Sequence, residues 1–363
     1  MADCDILVVG GGIAGLSLAS ALAGRTSVLV AEAEPTLGFH TSSRSARQLI
    51  PSYGPAVIQD LTVRTLALIR ALEVHLPAPV LTPRSFLLVG SEETVRDRAS
   101  GHMHPIPPAQ MMALAPELKP EHFPAAGLDT TSVACDTDAL MEYHRQRILD
   151  RGGQILTGAR VQGARFESGT DNAGRWVTEA GREHITSRVV VNAAGAWADQ
   201  LAALYSVRRR GLQPYRRTAA VVDVEHPLSG DAPMVADADE TFYYRAEGQQ
   251  VLISPSESVP SEPMDARPHA REVAALVELV NSVTTLGITH VVRSWTGLRT
   301  PAADGLPVVG YDDVGPGFFW LAGQGGYGFQ TSSGMAELAA AMLLGETPDS
   351  GIEMALSPTR RGL

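Results

Sequence analysis

Hydrophobic positions at the start of the chain follow two different periods in succession. Residues 6–9, Ile-Leu-Val-Val, form an unbroken apolar run of β-prone type. Beyond three consecutive glycines at 10–12, Leu16, Ala19 and Ala23 recur at helical spacing, with the small Ser20 beside them. A second apolar run, 27–31, follows. The pattern predicts strand, tight turn, helix and strand. Residues 189–191 repeat the strand signature and run into Asn192-Ala193-Ala194-Gly195-Ala196-Trp197, small residues that suit close backbone approach. Residues 318–323 do so again, entering the glycine-rich Gln324-Gly325-Gly326-Tyr327-Gly328-Phe329-Gln330-Thr331 before a helical stretch at 335–344. Between these, residues 206–298 carry β-prone runs at 218–224, 241–245 and 251–254 separated by Gly and Pro. A chain of 363 residues, 44% hydrophobic and 19% charged, can bury a large core, and its length favours two domains.

Charge narrows the partners. A net charge of −11 argues against nucleic acid. All but one of the 29 basic residues are arginine, so Schiff-base chemistry has the single candidate Lys119, and no phosphate loop ending in Gly-Lys-Ser/Thr exists. Cys4 and Cys135 stand far apart, which leaves neither a disulfide framework nor a cysteine-rich zinc module. His102-Met103-His104 lacks the acidic company of a metal site, and no metal is expected. Residues 6–23 imitate a leader peptide, but Asp3 and Asp5 stand where basic residues belong and the glycines interrupt the run. No apolar run is long enough to span a bilayer. The expectation is a cytoplasmic protein, free or peripheral at the membrane. Residues 208–210, three arginines, read as a solvated loop, and residues 255–268, rich in Pro, Ser and Glu, as a lid or a surface connection.

The first glycine turn has a chemical reading. Gly10 permits the turn, Gly12 removes the side chain that would block a diphosphate, and Gly15 lets the helix approach the strand, leaving a helix N-terminus beside Ile13 and Ala14 for anionic oxygens. Glu32 ends the second strand about 20 residues on, where an adenosine ribose presents its hydroxyls. These features predict a dinucleotide site. The hydroxyl-rich Thr41-Ser42-Ser43-Arg44-Ser45-Ala46 suits wrapping a diphosphate, and the second glycine turn suits the far half of a long cofactor.

Taken together, residues 10–32, 39–54, 191–197, 211–214, 295–299, 303–305 and 324–331 resemble the FAD-dependent D-amino acid oxidase/glycine oxidase superfamily, and within it D-arginine dehydrogenase in particular. The resemblance implies an α/β fold: a discontinuous Rossmann-like FAD-binding domain (1–80, 140–205 and 299–363) with an antiparallel-sheet α+β substrate domain (81–139 and 206–298). It implies noncovalent FAD held by Gly10, Gly12, Ile13, Ala14, Gly15, Glu32, Ser43, Arg44, Ser45, Val161, Ala194, Gly195, Trp197, Arg299, Gly325, Gly326, Tyr327, Gly328, Gln330 and Thr331. It places the substrate on Tyr53, Arg216, Tyr243, Arg299 and Gly326, with the inward member of the Arg216-Arg217 pair left to strand register. An arginine offers a planar fork to a carboxylate, tyrosines add donors, and the Gly326 carbonyl can accept from an amine.

Two departures bear on the substrate. Phe86 stands where D-arginine dehydrogenase has a glutamate for the guanidinium, so a cationic substrate side chain would lack its partner. Gln48 replaces a histidine and Ile50 a threonine, so no histidine base exists there. The expected activity is oxidation of the Cα–N bond of a D-amino acid with an apolar or aromatic side chain, giving an imino acid, then a 2-oxo acid and ammonia. Oxygen, a quinone or another carrier takes the electrons. Oxidation of glycine or N-alkyl amino acids is the alternative reaction, and a flavin-binding scaffold without turnover the alternative of another class.

Overall fold

The computed structural model describes residues 2–168, 174–348 and 351–363. Its first sheet is built around the strand Ala2–Val9, flanked in parallel by Val28–Ala31 and Glu183–Asn192, with Gln154–Leu156 beyond Val28–Ala31. The strand Glu183–Asn192 changes neighbour midway. Its first half pairs antiparallel with Arg175–Ala180, and residues 190–192 pair in parallel with Phe318–Ala322. The glycine turns after residues 9 and 322 and the small-residue turn after 192 therefore open at one sheet end, the carboxyl end where parallel sheets take their ligands.

The helix Ile13–Leu22 is buried on almost every face, because the sheet, the helix Thr137–Asp150 and the helix Ser332–Leu343 enclose it. Two glycines allow that approach. A Cβ on Gly15 would lie 2.0 Å from the Gly10 carbonyl oxygen, and one on Gly10, at φ 117°, 2.3 Å from that of Ala193.

The second sheet has nine strands in the order Val259–Pro260, Tyr215–Val224, Gln250–Ser254, Tyr243–Glu247, Met234–Asp237, Phe86–Gly90, Ala125–Asp129 and His104–Ile106, with Ile288–Arg299 on the other side of Tyr215–Val224. All pairings are antiparallel except Met234–Asp237 with Phe86–Gly90. The amphipathic helix Ala270–Val283 covers one face through Val273, Leu276 and Val280. The other face looks toward the glycine turns of the first sheet. Among the described residues no helix is long and apolar enough to cross a membrane.

Two loop expectations need correction. In the 208–210 loop only Arg208 and Arg209 are exposed: Arg210 is enclosed, bonded to Asp312 at 2.6 Å and lying 5.9 Å over the Trp320 ring. An inward fork with a carboxylate and an aromatic face to meet is more stable there than in solvent. The segment 255–268 is neither a free lid nor a plain connection, since Val259–Pro260 extends the second sheet and Ser256 is buried.

Asp312 also accepts Trp320 Nε1–H and the Val314 and Gly315 N–H groups. Burial acts against its charge, yet these donors hold its pKa below the ordinary carboxylate value. Stability from this group is present above the unfolded pKa and lost as pH falls through the lower folded one. Replacing Asp312→Ala is expected to cost about 3 kcal/mol in denaturant unfolding at neutral pH, with a flatter loss toward acid than in the parent protein.

Candidate active site

Two cavities meet where the two sheets face each other. The smaller, about 210 Å3, is lined by Gly10, Glu32, Val161, Ala194 and Trp197. The larger, about 410 Å3, is lined by Ile13, Ala14, Ser45, Tyr53, Tyr243, Arg299 and the second glycine turn at Gly325, Gly326, Tyr327, Gly328 and Gln330. Both reach Gly12, Thr41, Ser42, Ala193, Gly195 and Ala196, so together they form one elongated recess with its waist at Gly12. Gly12 is extended (φ −79°, ψ 179°), and a Cβ there would meet only Ser42 Oγ, at 3.2 Å. A side chain at this position would thus fill the waist without straining the backbone.

In the smaller recess Glu32 is oriented by two backbone donors, Gly11 N–H at 2.6 Å and Glu34 N–H at 2.8 Å. The His40 ring packs 4.5 Å from Trp197, and its Nε2 lies 3.2 Å from Glu34, which also pairs with Arg160 at 2.9 Å. At the waist the Ser42 hydroxyl accepts the Ile13 N–H at 3.0 Å. Ser43 turns away, donating to Phe39 and His40 carbonyls, so the hydroxyl-rich loop presents Ser42 where the sequence suggested Ser43. Arg44 lines the larger cavity, but its guanidinium is bonded to Asp265 and to the Thr296 carbonyl. Gly15 and Thr331 lie behind the wall, the first under the turn and the second bonded to the Tyr327 carbonyl at 2.8 Å.

The larger cavity gathers polar groups. Arg299 closes the long strand Ile288–Arg299, with Tyr53 beside its guanidinium. Burial opposes its charge, but Tyr53, Tyr243 and Tyr327 outweigh this and hold its pKa above the ordinary value. Gly326 makes room for it: at φ 109°, a Cβ would stand 2.8 Å from Arg299 Cδ and 2.9 Å from Nε. Tyr53 and Tyr327 pack with ring centroids 5.6 Å apart, and burial pushes the Tyr327 hydroxyl up to about 12. Gln330 anchors the arrangement by donating to the Tyr53 carbonyl at 3.3 Å and to Thr62 at 3.1 Å.

Register settles which of the adjacent arginines faces inward, and it is Arg217, not Arg216. Arg217 pairs with Gly297, two residues before Arg299 and on the same face of the sheet, whereas Arg216 pairs with Leu298 on the opposite face. Arg217 lines the cavity, while Arg216 donates to the Arg267 carbonyl at 2.7 Å outside it. Burial and then the nearby Arg299 lower the Arg217 pKa.

Apolar residues that pack with Tyr53 and Tyr243 complete the lining. Phe86 and Ile50 are joined by Leu88, Met103, Met234 and Ala236. Gln48 borders them, donating to the Arg84 carbonyl and Ser132 Oγ while its Oε1 has no partner. Met103 comes from the His102-Met103-His104 segment, which forms no metal cluster among the described residues. Both cysteines are free and buried, and Lys119 is spent on the Asn281 and Ser282 carbonyls.

Comparison with known proteins agrees with this fold. The family described as DAO, FAD dependent oxidoreductase, matches residues 5–342. A D-amino acid dehydrogenase of Cereibacter sphaeroides is 28% identical over 224 residues, 58% of this chain and 47% of that protein. The chain spans about half the length of the curated relatives it matches. Glycine oxidase from Geobacillus kaustophilus superposes with a TM-score of 0.85 at 21% identity, covering 99% of this chain and 100% of the other. L-proline dehydrogenase from P. horikoshii gives 0.85 at 18% identity, covering 98% and 97%. These two likenesses speak to the fold.

The recess fits FAD on its own evidence: a carboxylate held by two backbone N–H groups at one end, a waist left open for the diphosphate by the missing side chain of Gly12, and a second glycine turn beside the wider half. Replacing Gly12→Val is expected to leave the melting temperature of the flavin-free protein nearly unchanged while weakening FAD binding about a hundredfold or more, read by flavin fluorescence titration. Gly15→Val is expected to prevent folding.

Proposed function

Since this chain belongs to the DAO family of FAD-dependent oxidoreductases, we propose that it oxidises the Cα–N bond of a D-amino acid with an apolar or aromatic side chain. The product is an imino acid that water converts to a 2-oxo acid and ammonia. In this reading residues 1–80, 140–205 and 299–363 hold the cofactor, and 81–139 and 206–298 roof it. The observation that carries the proposal is the mixed lining of the larger cavity, in which the guanidiniums of Arg217 and Arg299 and the rings of Tyr53 and Tyr243 share one enclosure with the apolar Phe86, Ile50, Met103 and Met234.

Bound FAD supplies a two-electron acceptor; the remaining tasks fall to this chain. Arg299 and Arg217 grip the α-carboxylate through charge-assisted hydrogen bonds, each of about 1.5 to 3 kcal/mol, with Tyr53 and Tyr243 as neutral donors. The Gly326 carbonyl accepts from the amine. The amine must be neutral for the Cα hydrogen to leave with its electron pair, so the ammonium first gives up a proton. With Gln48 unable to titrate, that proton goes to water or, through a hydrogen bond, by way of Tyr53. The apolar wall takes the substrate side chain and keeps bulk water from the reacting carbon.

Anaerobic mixing with D-amino acids, L-amino acids and N-methylglycine tests the assignment: apolar D-amino acids are expected to bleach the visible flavin band. Bleaching by L-amino acids alone, or by N-methylglycine alone, would transfer the activity to that class, and no bleaching by any would leave a flavin-binding scaffold. Within the clamp, Arg299→Met is expected to raise KM about a hundredfold, the equivalent of about 3 kcal/mol, with flavin retained. Arg216→Met should leave KM unchanged.

A further inference from the structure

Beyond the strand Gln250–Ser254 the chain continues in the same direction along Tyr215–Val224, rejoining it at Val259–Pro260. Ser256 lines the larger cavity in the left-handed region, at φ 53°. Glu257 Oε1 then accepts the Thr218 N–H at 2.5 Å, which fixes the carboxyl beside the backbone of Arg217, and Ser258 Oγ accepts from Arg217 Nη2 at 3.3 Å. Two atoms in this corner are shut off from solvent without a partner, Glu257 Oε2 and Arg217 Nε.

Neither Arg217 nor Arg299 forms an ion pair among the described residues. After burial, the groups that act most on the Arg217 charge are Arg299, Tyr243, Tyr53 and Glu257, and only Glu257 is an acid. Glu257 stands behind the cavity lining, and the two acids that do line it face other groups: Glu240 pairs with Arg98 at 2.6 Å, and Asp237 accepts from the hydroxyl and N–H of Thr241. Burial pushes the Glu257 pKa up, while the Thr218 donor and Arg217 favour its ionised form.

We propose that Glu257 is the fixed counter-charge of the Arg217–Arg299 clamp and restricts its ligands to those with one acid group. At the clamp itself, two guanidiniums and one internal carboxylate leave a single positive charge, which a monocarboxylate neutralises. A second acid group would bring uncompensated negative charge into an enclosure of low dielectric, beside a carboxylate that cannot leave. The inference rests on the clamp reading above and makes Glu257 a positioning and specificity residue.

The test compares two unreactive three-carbon acids, propanoate and malonate, binding to the FAD-loaded protein, read as a shift of the flavin absorption spectrum. The parent protein is expected to favour propanoate about tenfold or more, and Glu257→Gln to lower that ratio about tenfold or more. Glu257→Ser provides the same comparison if the glutamine variant fails to fold. Binding of both acids with an unchanged ratio overturns the counter-charge while leaving the clamp intact. If neither acid perturbs the parent spectrum, the clamp and this inference fall together.

Discussion

An enclosed guanidinium that forms no ion pair among the described residues is the constraint around which this site is arranged. Arg299 sits where a charge is costly, and its stabilisation comes from Tyr53, Tyr243 and Tyr327 around it. The requirement reaches both sheets. The second sheet must end a strand at Arg299, and the first must deliver a glycine at 326, because any Cβ there would collide with the arginine stem. Tyr53 must then be held by Gln330, which itself stands on the same glycine-rich turn.

The recess shows the same logic of absent side chains. Gly10 and Gly15 are fixed by packing, since helix and strands touch through them. Gly12 is fixed by nothing in the protein alone, its backbone being ordinary and its surroundings open on the ligand side. A glycine that the fold does not need, at the point where two cavities meet, is an observation about a ligand.

What could be read from the chain was what is local. Strand, turn, helix and strand within the first 32 residues follow from periodicity and glycine spacing, and the structure reproduces them as Ala2–Val9, Ile13–Leu22 and Val28–Ala31. Facing was harder. The run from Thr218 to Val222 is buried on both faces of its sheet, so no alternation of polar and apolar residues fixes which neighbouring arginine turns inward. Ser42 and Ser43 are chemically alike, and only the helix N-terminus at Ile13 selects between them. Arg210 looked like one member of a charged run because its partners, Asp312 and Trp320, lie a hundred residues away in sequence. Met103 was hidden between two histidines that drew attention to metal chemistry.

Both clamp arginines arise from strands that pair directly with one another, Tyr215–Val224 and Ile288–Arg299, and Glu257 lies on the segment that follows the next strand over. On the clamp proposed above, carboxylate recognition is confined to one block of adjacent strands. Transplanting that three-strand ribbon into a relative would carry the grip on the acid group with it, whereas the lining from Phe86, Met103 and Met234 could be retailored independently. On that reading the architecture separates what every substrate must share from what distinguishes one from another, so divergence in side-chain preference can proceed by point replacements on one wall.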